Sequence, residues 1–228
     1  MGVIAENLSA VRERIDKAAR AAGRDPAQVR LVAVSKMHTS EAVRDAYAAG
    51  QRDFGENYVQ ELVSKAEALS DLSTIRWHFV GHLQTNKARQ LAPVVQAVHG
   101  IDSARVALEL GKRSEALGRR IDALVQVNLA GEGQKSGCEV GEAGKVVEAV
   151  EGAKGLRLVG LMVLPPWDLE AEAARRYFVG LRELRDRLGG RERLPDLSMG
   201  MSQEFEVAIQ EGATLVRVGT AIFGDRKP

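Results

Sequence analysis

Cysteine is almost absent from this sequence of 228 residues, because Cys138 is the only one. A single cysteine excludes an internal disulfide and is typical of a reducing compartment, so we expect a cytoplasmic protein. An excess of charge of one sign is absent as well, since 32 Lys and Arg residues oppose 31 Asp and Glu residues. The resulting net charge of +1 argues against a nucleic acid or an anionic membrane as a partner.

Long apolar runs are also missing, and the N-terminal segment shows what takes their place. Ile4, Leu8, Val11 and Ile15 recur at helical spacing among charged residues, which predicts an amphipathic helix. A segment of this kind is neither a signal peptide nor a membrane anchor. With 45% hydrophobic and 28% charged residues overall, the composition is that of a soluble globular protein with a sizeable core.

Several ligand-binding motifs are missing. The turn after the first predicted strand, residues 36–42, contains no glycine, so the dinucleotide-binding fingerprint is excluded. In the stretch 131–137, Gln134 stands where a phosphate-binding loop needs glycine. His78 and His82 lie on a predicted strand, where a spacing of four residues spans about 13 Å. We therefore expect no metal site.

The sequence does contain a regular alternation of short β-rich runs and longer helical patterns. This alternation predicts a parallel sheet, and eight units predict a single (β/α)8 TIM-type barrel over residues 1–228, with an extra N-terminal helix. The chain is also close to the usual barrel length of about 250 residues. A doubly wound open sheet is the structural alternative, and the missing glycine-rich turn disfavours it. The predicted strands cover residues 30–36, 52–57, 75–83, 97–103, 122–129, 156–165, 194–200 and 214–224. The predicted helices cover residues 40–49, 57–69, 85–95, 103–117, 139–152, 168–189 and 202–211.

The barrel assignment indicates where a site should lie, because ligands bind at the C-terminal ends of barrel strands. Most of these ends carry a polar side chain, which indicates a polar, ligand-binding rim. The residues at the predicted ends are Lys36, Asn57, His82, Asp102, Asn128, Pro165, Ser198 with Met199, and Gly219 with Thr220.

Lys36 ends the apolar first strand, and an amine at that point has two interpretations. Its stem can pack against the strand while the ammonium group reaches solvent. Alternatively, the amine forms a Schiff base, either with a carbonyl substrate, as in a lysine-dependent aldolase, or with the aldehyde of pyridoxal phosphate.

The last predicted strand contains a cationic residue, Arg217, that needs a hydrogen-bond acceptor when it is buried. Side chains alternate along a strand, so Leu215, Arg217 and Gly219 share the inner face while Val216 and Val218 face the helices. A buried guanidinium group without an acceptor is strongly unfavourable. Arg217 therefore needs either a carboxylate of the protein or a group on a ligand.

The loops after the seventh and eighth strands combine several donors of hydrogen bonds. Gly219 and Thr220 offer backbone N–H groups and a hydroxyl, and Ser198 and Ser202 add two hydroxyls before the next helix. Phosphate often binds at these two loops in barrels of this type. Ordinary turns with helix caps are the alternative, but the two loops together favour a phosphate site.

The motifs around these residues resemble those of the pyridoxal phosphate homeostasis proteins. The resemblance extends over essentially the whole chain, and the family's fold is similar to the barrel domain of alanine racemase. It implies that the protein binds pyridoxal 5′-phosphate as a Schiff base. The stretches that carry it are LVAVSK, FGENYVQE, WHFVGHLQTNK, VQVNLAGEGQKSG, GLMVLP, LSMGMSQEFEVAI and VRVGTAIFG.

The resemblance also implies a role for particular residues. Lys36 matches the Schiff-base lysine, Asn57 lines the cofactor near its ring, and Arg217 faces the pyridine nitrogen. Lys135 matches a second lysine that takes part in moving the cofactor.

The remaining matches concern the phosphate end of the cofactor. Ser198, Gly219 and Thr220 match the phosphate contacts, and Met199 lines the same pocket.

Two features argue against robust catalysis. An arginine beside the pyridine nitrogen disfavours ring protonation and weakens the ring as an electron sink. Racemase-like enzymes take an acid/base tyrosine from a second domain, and we expect none here, because the chain ends at Pro228 and Tyr47, Tyr58 and Tyr177 fall in predicted helices.

We therefore expect a protein that buffers or delivers pyridoxal phosphate and influences vitamin B6 and amino-acid balance, without catalytic residues of its own. A weak racemase-type enzyme is the alternative, and an aldolase without cofactor is a third possibility. The expected partners are the cofactor and PLP-dependent apo-enzymes that receive it, and a monomer is expected.

Overall fold

The computed structural model of the protein describes residues 2–131, 136–167 and 169–225. Its parallel strands follow one another in chain order around a closed barrel, in which the last strand pairs with the first. The predicted barrel is confirmed. The strands are β1 (Arg30–Val34), β2 (Asp53–Glu56), β3 (Arg76–Phe79), β4 (Ala97–Ile101), β5 (Ile121–Gln126), β6 (Leu156–Met162), β7 (Asp196–Ser198) and β8 (Leu215–Val218).

Helices connect the strands and surround the barrel. The first helix precedes β1, as the periodicity of the N-terminal segment predicts, and buries Leu8, Val11 and Ile15. The helices are α1 (Val3–Ala21), α2 (Ser40–Ala48), α3 (Val59–Ala68), α4 (Ala88–Leu91), α5 (Ala104–Ala116), α6 (Ala143–Gly152), α7 (Ala171–Arg187), α8 (Gly190–Arg193), α9 (Phe205–Gln210) and α10 (Thr220–Phe223).

Strand alternation separates two apolar layers. Val216 and Val218 of β8 belong to the large core between strands and helices, whereas Leu215 belongs to a small cluster inside the barrel. The other members of the inner cluster are Val32, Leu124, Val159 and Met162. Side chains of the described residues therefore fill this part of the barrel interior.

Several predicted elements end earlier than their pattern indicates, and the strand predicted over residues 75–83, for example, ends at Phe79. Two of these early ends have an identifiable cause. The helix predicted over residues 85–95 is a 3-10 turn, Thr85–Lys87, followed by the short α4, because Pro93 cannot continue a helix. The strand predicted over residues 214–224 ends at Val218, where Gly219 turns the chain into α10. Apolar residues in 220–223 fit a strand and a buried helix equally well, so their pattern could not reveal this turn.

In the described part of the chain, none of the helices is both long and apolar enough to cross a membrane.

Candidate functional site

A cavity of about 660 Å³ opens at the rim formed by the C-terminal ends of the strands. Its volume lies in the range of small-molecule sites, and both polar and apolar residues line it. The described lining residues include Lys36, Asn57, Ser202, Glu204, Arg217, Gly219 and Thr220. The lining also includes an apolar group of residues, Leu164, Pro165, Pro166, Trp167, Leu169 and Ala174.

Lys36 lies in the cavity wall directly after β1, half-buried, as predicted from the end of the first strand. The next residue, Met37, has a φ of 64° and is the one non-glycine residue with positive φ in the described ranges. This left-handed conformation is unfavourable for a side chain such as methionine. The Met37 N–H donates to Glu61 Oε1 at 2.6 Å, so α3 holds the strained turn in place.

A buried ionic cluster beneath this turn stabilises the end of β1. Lys65 of α3 donates to the Ser35 carbonyl oxygen, to Glu56 Oε1 and to Glu61 Oε1, each at 2.7 Å. Ser35 Oγ also donates to Glu56 Oε1, at 2.6 Å. Burial raises the pKa of Glu56, and the charge of Lys65 opposes that shift. These bonds anchor both residues that flank Lys36.

This cluster is not among the predictions from the sequence, although the chain contains a signal for it. Lys65 shares a buried helix face with Val59 and Leu62, which places a charge within an apolar stripe. A lysine at such a position needs a buried partner, and the partner Glu56 lies at the end of β2.

The phosphate site predicted at the last two loops corresponds to one part of the cavity wall. Ser202, Gly219 and Thr220 line the cavity together, and the Gly219 N–H lies 3.3 Å from Ser202 Oγ, which accepts from it. The first N–H groups of α10 have no acceptor within the helix. A Cβ at Gly219 would lie 3.0 Å from the Val34 carbonyl oxygen, so the close approach of β1 favours glycine here.

Arg217 lies at the inner wall, buried as the alternation of β8 predicts. Its guanidinium group donates to Ser198 Oγ at 2.6 Å and to the Val163 carbonyl oxygen at 2.9 Å. Burial lowers the pKa of Arg217 to about 10, against the opposing charge of Glu204. A hydroxyl and a carbonyl therefore accept two of the N–H groups of this cation. That Arg217 also faces a ligand stays a prediction.

Ser198 and Met199 do not belong to the described cavity wall. Ser198 pairs with Leu215, two residues before Arg217, so the register places it one layer deeper in the barrel. Met199 packs in the outer core between strands and helices, because alternation turns it away from Ser198. The serine that does line the cavity is Ser202, four residues further along.

The structure brings Lys36, Asn57, Arg217, Gly219 and Thr220 together around one cavity. It leaves out two other polar strand ends. His82 Nδ1 lies 3.0 Å from Asp102 Oδ2, and neither residue is among the described lining residues.

Two further predictions concern Lys135 and the expected absence of a metal site. Lys135 lies outside the described residues. A search of the described residues for clusters of potential metal ligands finds none.

Comparison with known proteins relates the whole chain to one family. The family described as alanine racemase, N-terminal domain, matches residues 7–227. A pyridoxal phosphate homeostasis protein from Pseudomonas aeruginosa is 48% identical over 226 residues, which are 99% of this chain and 97% of that protein. A protein of the same name from Aquifex aeolicus is 44% identical, covering 97% of this chain and 98% of the relative.

A solved structure shows the same fold. The structure of PipY from Synechococcus elongatus with PLP bound superimposes with a TM-score of 0.85 and 37% sequence identity. The similarity covers 97% of this chain and 100% of that chain.

Proposed function

The chain belongs to the pyridoxal phosphate homeostasis protein family, and from this premise we propose that it binds pyridoxal 5′-phosphate at the barrel rim. In this proposal it takes part in keeping the cell's supply of that cofactor, and with it amino-acid metabolism, in balance. The observation that carries the proposal is the shared cavity of Lys36, Arg217, Ser202, Gly219 and Thr220.

The residues present fit the three chemical ends of this cofactor. The cofactor supplies an aldehyde, which condenses with an amine with loss of one water molecule. Lys36 is the amine at the cavity wall, and the strained turn at Met37 and the Glu61 contact hold its backbone. Ser202 and the N–H groups at the start of α10 are suited to the phosphate, because hydroxyl and backbone donors bind anions.

Arg217 would meet the ring end of the cofactor, with Asn57 beside it. A pKa of about 10 keeps Arg217 cationic at neutral pH. A cation at this position disfavours a second positive charge on a ring nitrogen. We therefore propose a cofactor carrier that holds the group without activating it strongly.

A weak amino-acid racemase is the alternative function. It is considered because the matching family is described as the N-terminal domain of alanine racemase. The positions of the tyrosines argue against it, since Tyr47, Tyr58 and Tyr177 are absent from the described cavity wall. Tyr47 instead shares a hydrogen bond with Thr74, and Tyr177 accepts one from Arg176. Two-sided proton transfer therefore lacks an evident second acid/base group among the described residues.

The first experiment tests cofactor binding. The purified protein is mixed with pyridoxal 5′-phosphate, its absorbance spectrum is recorded, and the modified peptide is mapped after borohydride reduction. We expect a near-visible band and modification at Lys36. Lys36→Ala should abolish both, whereas Lys112→Ala, a change at an exposed lysine of α5, should abolish neither. A colourless wild-type protein would contradict the proposal and favour a cofactor-free carbonyl substrate.

The second experiment separates the carrier from the enzyme. Exchange of the Cα hydrogen for deuterium and racemisation are measured on a panel of amino acids with the loaded protein. We expect turnover far below the usual enzyme range of about 1–10³ s⁻¹. Turnover within that range would establish the racemase alternative instead.

The partners belong to the proposal as well. We infer that PLP-dependent apo-enzymes receive the cofactor, that the protein acts in the cytoplasm, and that it is a monomer.

The exposed large apolar residues support a monomer, because several of them, such as Val3, Leu108 and Val140, belong to separate segments. Sedimentation at micromolar concentration should give a mass near 24.7 kDa, and a dimer mass would contradict this inference.

A further inference from the structure

Five buried polar side chains form a hydrogen-bond chain that passes through the barrel interior and ends at Arg217. Asp53 Oδ1 lies 2.9 Å from His78 Nε2, and His78 Nδ1 lies 2.9 Å from His99 Nε2. His99 Nδ1 lies 2.8 Å from Ser198 Oγ, which in turn accepts from Arg217 at 2.6 Å. All five residues are at least 96% buried, and they come from five different strands.

The two ends of this hydrogen-bond chain determine which atom donates at each contact. A guanidinium group can only donate hydrogen bonds, and an ionised carboxylate can only accept them. Hydrogen bonds from His78 and Arg76 outweigh the effect of burial and lower the pKa of Asp53 to about 2, so its carboxylate is ionised. Burial lowers the pKa of His99 well below its usual value, so this ring is neutral.

When each imidazole carries one proton, only one arrangement supplies a donor at every contact. His78 carries its proton on Nε2, facing Asp53, and accepts at Nδ1 from the Nε2 proton of His99. His99 then accepts at Nδ1 from the Ser198 hydroxyl, and this leaves a lone pair of Ser198 Oγ for Arg217. Each tautomer is thus set by its neighbour.

Apolar side chains would fill this space at a lower cost in free energy, because buried polar groups must lose their hydrating water. The inner cluster of Val32, Leu124, Val159, Met162 and Leu215 shows that this barrel does fill interior space with apolar side chains. The polar chain instead runs from Asp53, which also binds the exposed Arg76, to the one arginine in the described cavity wall. Because the hydrogen-bond chain ends at Arg217, Arg217 is the residue that it can position.

We propose that Asp53, His78, His99 and Ser198 are positioning residues, which hold the guanidinium group of Arg217 in a fixed orientation beside the cavity. Ser198 and the Val163 carbonyl oxygen take two of its five N–H donors on the inner side. The orientation of the group as a whole is therefore set from inside the barrel. The consequence for a bound ligand rests on the proposed function, whereas the hydrogen-bond chain itself does not.

The first test uses the protein without added cofactor. Long-range proton–nitrogen NMR of the ¹⁵N-labelled protein reports which ring nitrogen of each histidine carries the proton. We expect the Nε2 proton on both His78 and His99 and none on either Nδ1, with the half-exposed His82 as the internal reference. A proton on His99 Nδ1, or a doubly protonated His78, would overturn the assigned direction. This result does not depend on whether the cofactor binds.

The second test measures the effect on Arg217. Ser198→Ala removes the contact to Arg217 with little loss of volume, and His99→Phe interrupts the chain one step earlier. We expect both variants to bind pyridoxal 5′-phosphate about tenfold more weakly, with a shifted absorbance maximum. Ser198→Ala removes a charge-assisted hydrogen bond to Arg217, and His99→Phe removes the acceptor that orients the Ser198 hydroxyl. His99→Gln can accept and donate through its amide and should recover part of the affinity. His82→Gln, outside the described cavity wall, is the matched control.

Circular dichroism and the melting temperature establish that each variant is folded. If His99→Phe fails to fold, Ser198→Ala carries the comparison. Folded variants with wild-type affinity and spectrum would overturn the positioning role, while failure of the wild-type protein to bind the cofactor would contradict the proposed function only.

Discussion

Lys65 and Arg217 are both buried cations of this barrel, and they are stabilised in different ways. Lys65 contacts two carboxylates, Glu56 and Glu61, whereas the hydrogen bonds of Arg217 go to a hydroxyl and a carbonyl. The first arrangement neutralises charge and braces the turn that follows Lys36. The second leaves the positive charge of Arg217 uncompensated by direct contact, so its field extends into the cavity.

Replacing Lys65 by methionine should destabilise the protein strongly. Glu56 is completely buried and would lose its cation, and breaking a buried pair costs roughly 3–5 kcal/mol. Urea unfolding of Lys65→Met against the wild type measures this loss in the free energy of unfolding. The control is Lys154→Met, because Lys154 is 84% exposed and 3.9 Å from Glu115, and a surface pair contributes about 1 kcal/mol at most. Equal effects of the two substitutions would contradict the role of the buried cluster.

Asp53 should make the stability of the protein depend on acid pH. Burial alone would raise its pKa, but bonds from His78 and Arg76 lower it from 3.8 to about 2. An acid with a lowered pKa in the folded state stabilises the fold above its unfolded pKa. That stabilisation, about 2 kcal/mol, is lost as the pH falls from about 4 through about 2.

The measurement compares the free energy of unfolding of the wild type and Asp53→Asn across this pH range. We expect the difference between the two proteins to shrink as the pH falls, because the wild type loses its ionised carboxylate. A difference that is constant with pH would show that Asp53 is not the responsible group.

At the scale of elements, contact between strands β6 and β7 depends on a glycine. Gly160 pairs with Asp196, and a Cβ at Gly160 would lie 1.8 Å from the Asp196 carbonyl oxygen. The backbone would have to move, and β7 leads directly to the Ser198 and Ser202 positions. The sequence shows only one glycine within an apolar run, which indicates a close approach without naming the partner.

Gly160→Ala should therefore reduce the free energy of unfolding by roughly 3 kcal/mol or more. Gly144→Ala is the matched control, because Gly144 lies inside α6 and its added Cβ would meet Leu188 at an ordinary 3.6 Å. Alanine in a helix interior is favoured over glycine by roughly 0.5–1 kcal/mol, so the control should be neutral or stabilising. Chemical denaturation of both variants checks the contrast, and a stable Gly160→Ala would refute the close approach.

Element boundaries followed the sequence where local chemistry specified them. The amphipathic α1 was predicted at its observed position, and each predicted strand overlaps the observed one, although several predicted strands are too long. Among the predictions that extended too far, residues 85–95 and 214–224 failed at Pro93 and Gly219. At both points backbone conformation, rather than the apolar pattern, ends the element.

At the scale of the whole molecule, barrel closure brings the ends of the first and last strands together at the cavity. The pairing of β1 with β8 places Lys36 and the Gly219–Thr220 segment just after the ends of neighbouring strands. A ligand bound between them bridges strands that are more than 180 residues apart in the sequence. Binding should therefore stabilise the closed barrel as a unit, and the assignment of residues 1–228 to a single domain remains a prediction.

Pyridoxal 5′-phosphate should raise the melting temperature in proportion to its affinity. At a free concentration 100 times the Kd, the stabilisation is about 2.7 kcal/mol, which corresponds to roughly 5–10 °C for a chain of this size. Calorimetry with and without the cofactor measures the shift, and one cooperative transition is expected. Lys36→Ala should show a much smaller shift at the same concentration. An equal shift in both proteins would place the binding elsewhere.

The sequence by itself determined which residues form strands, which faces they bury, and that Lys36 and Arg217 belong near one rim. These properties follow from periodicity, because alternation and helical spacing are local. Only the tertiary structure decided that Ser202 rather than Ser198 lines the cavity, that Glu56 meets Lys65, and that Asp53, His78, His99 and Ser198 connect to Arg217. These contacts join residues on different elements, and their pairing depends on strand register and barrel closure, which a linear pattern does not contain.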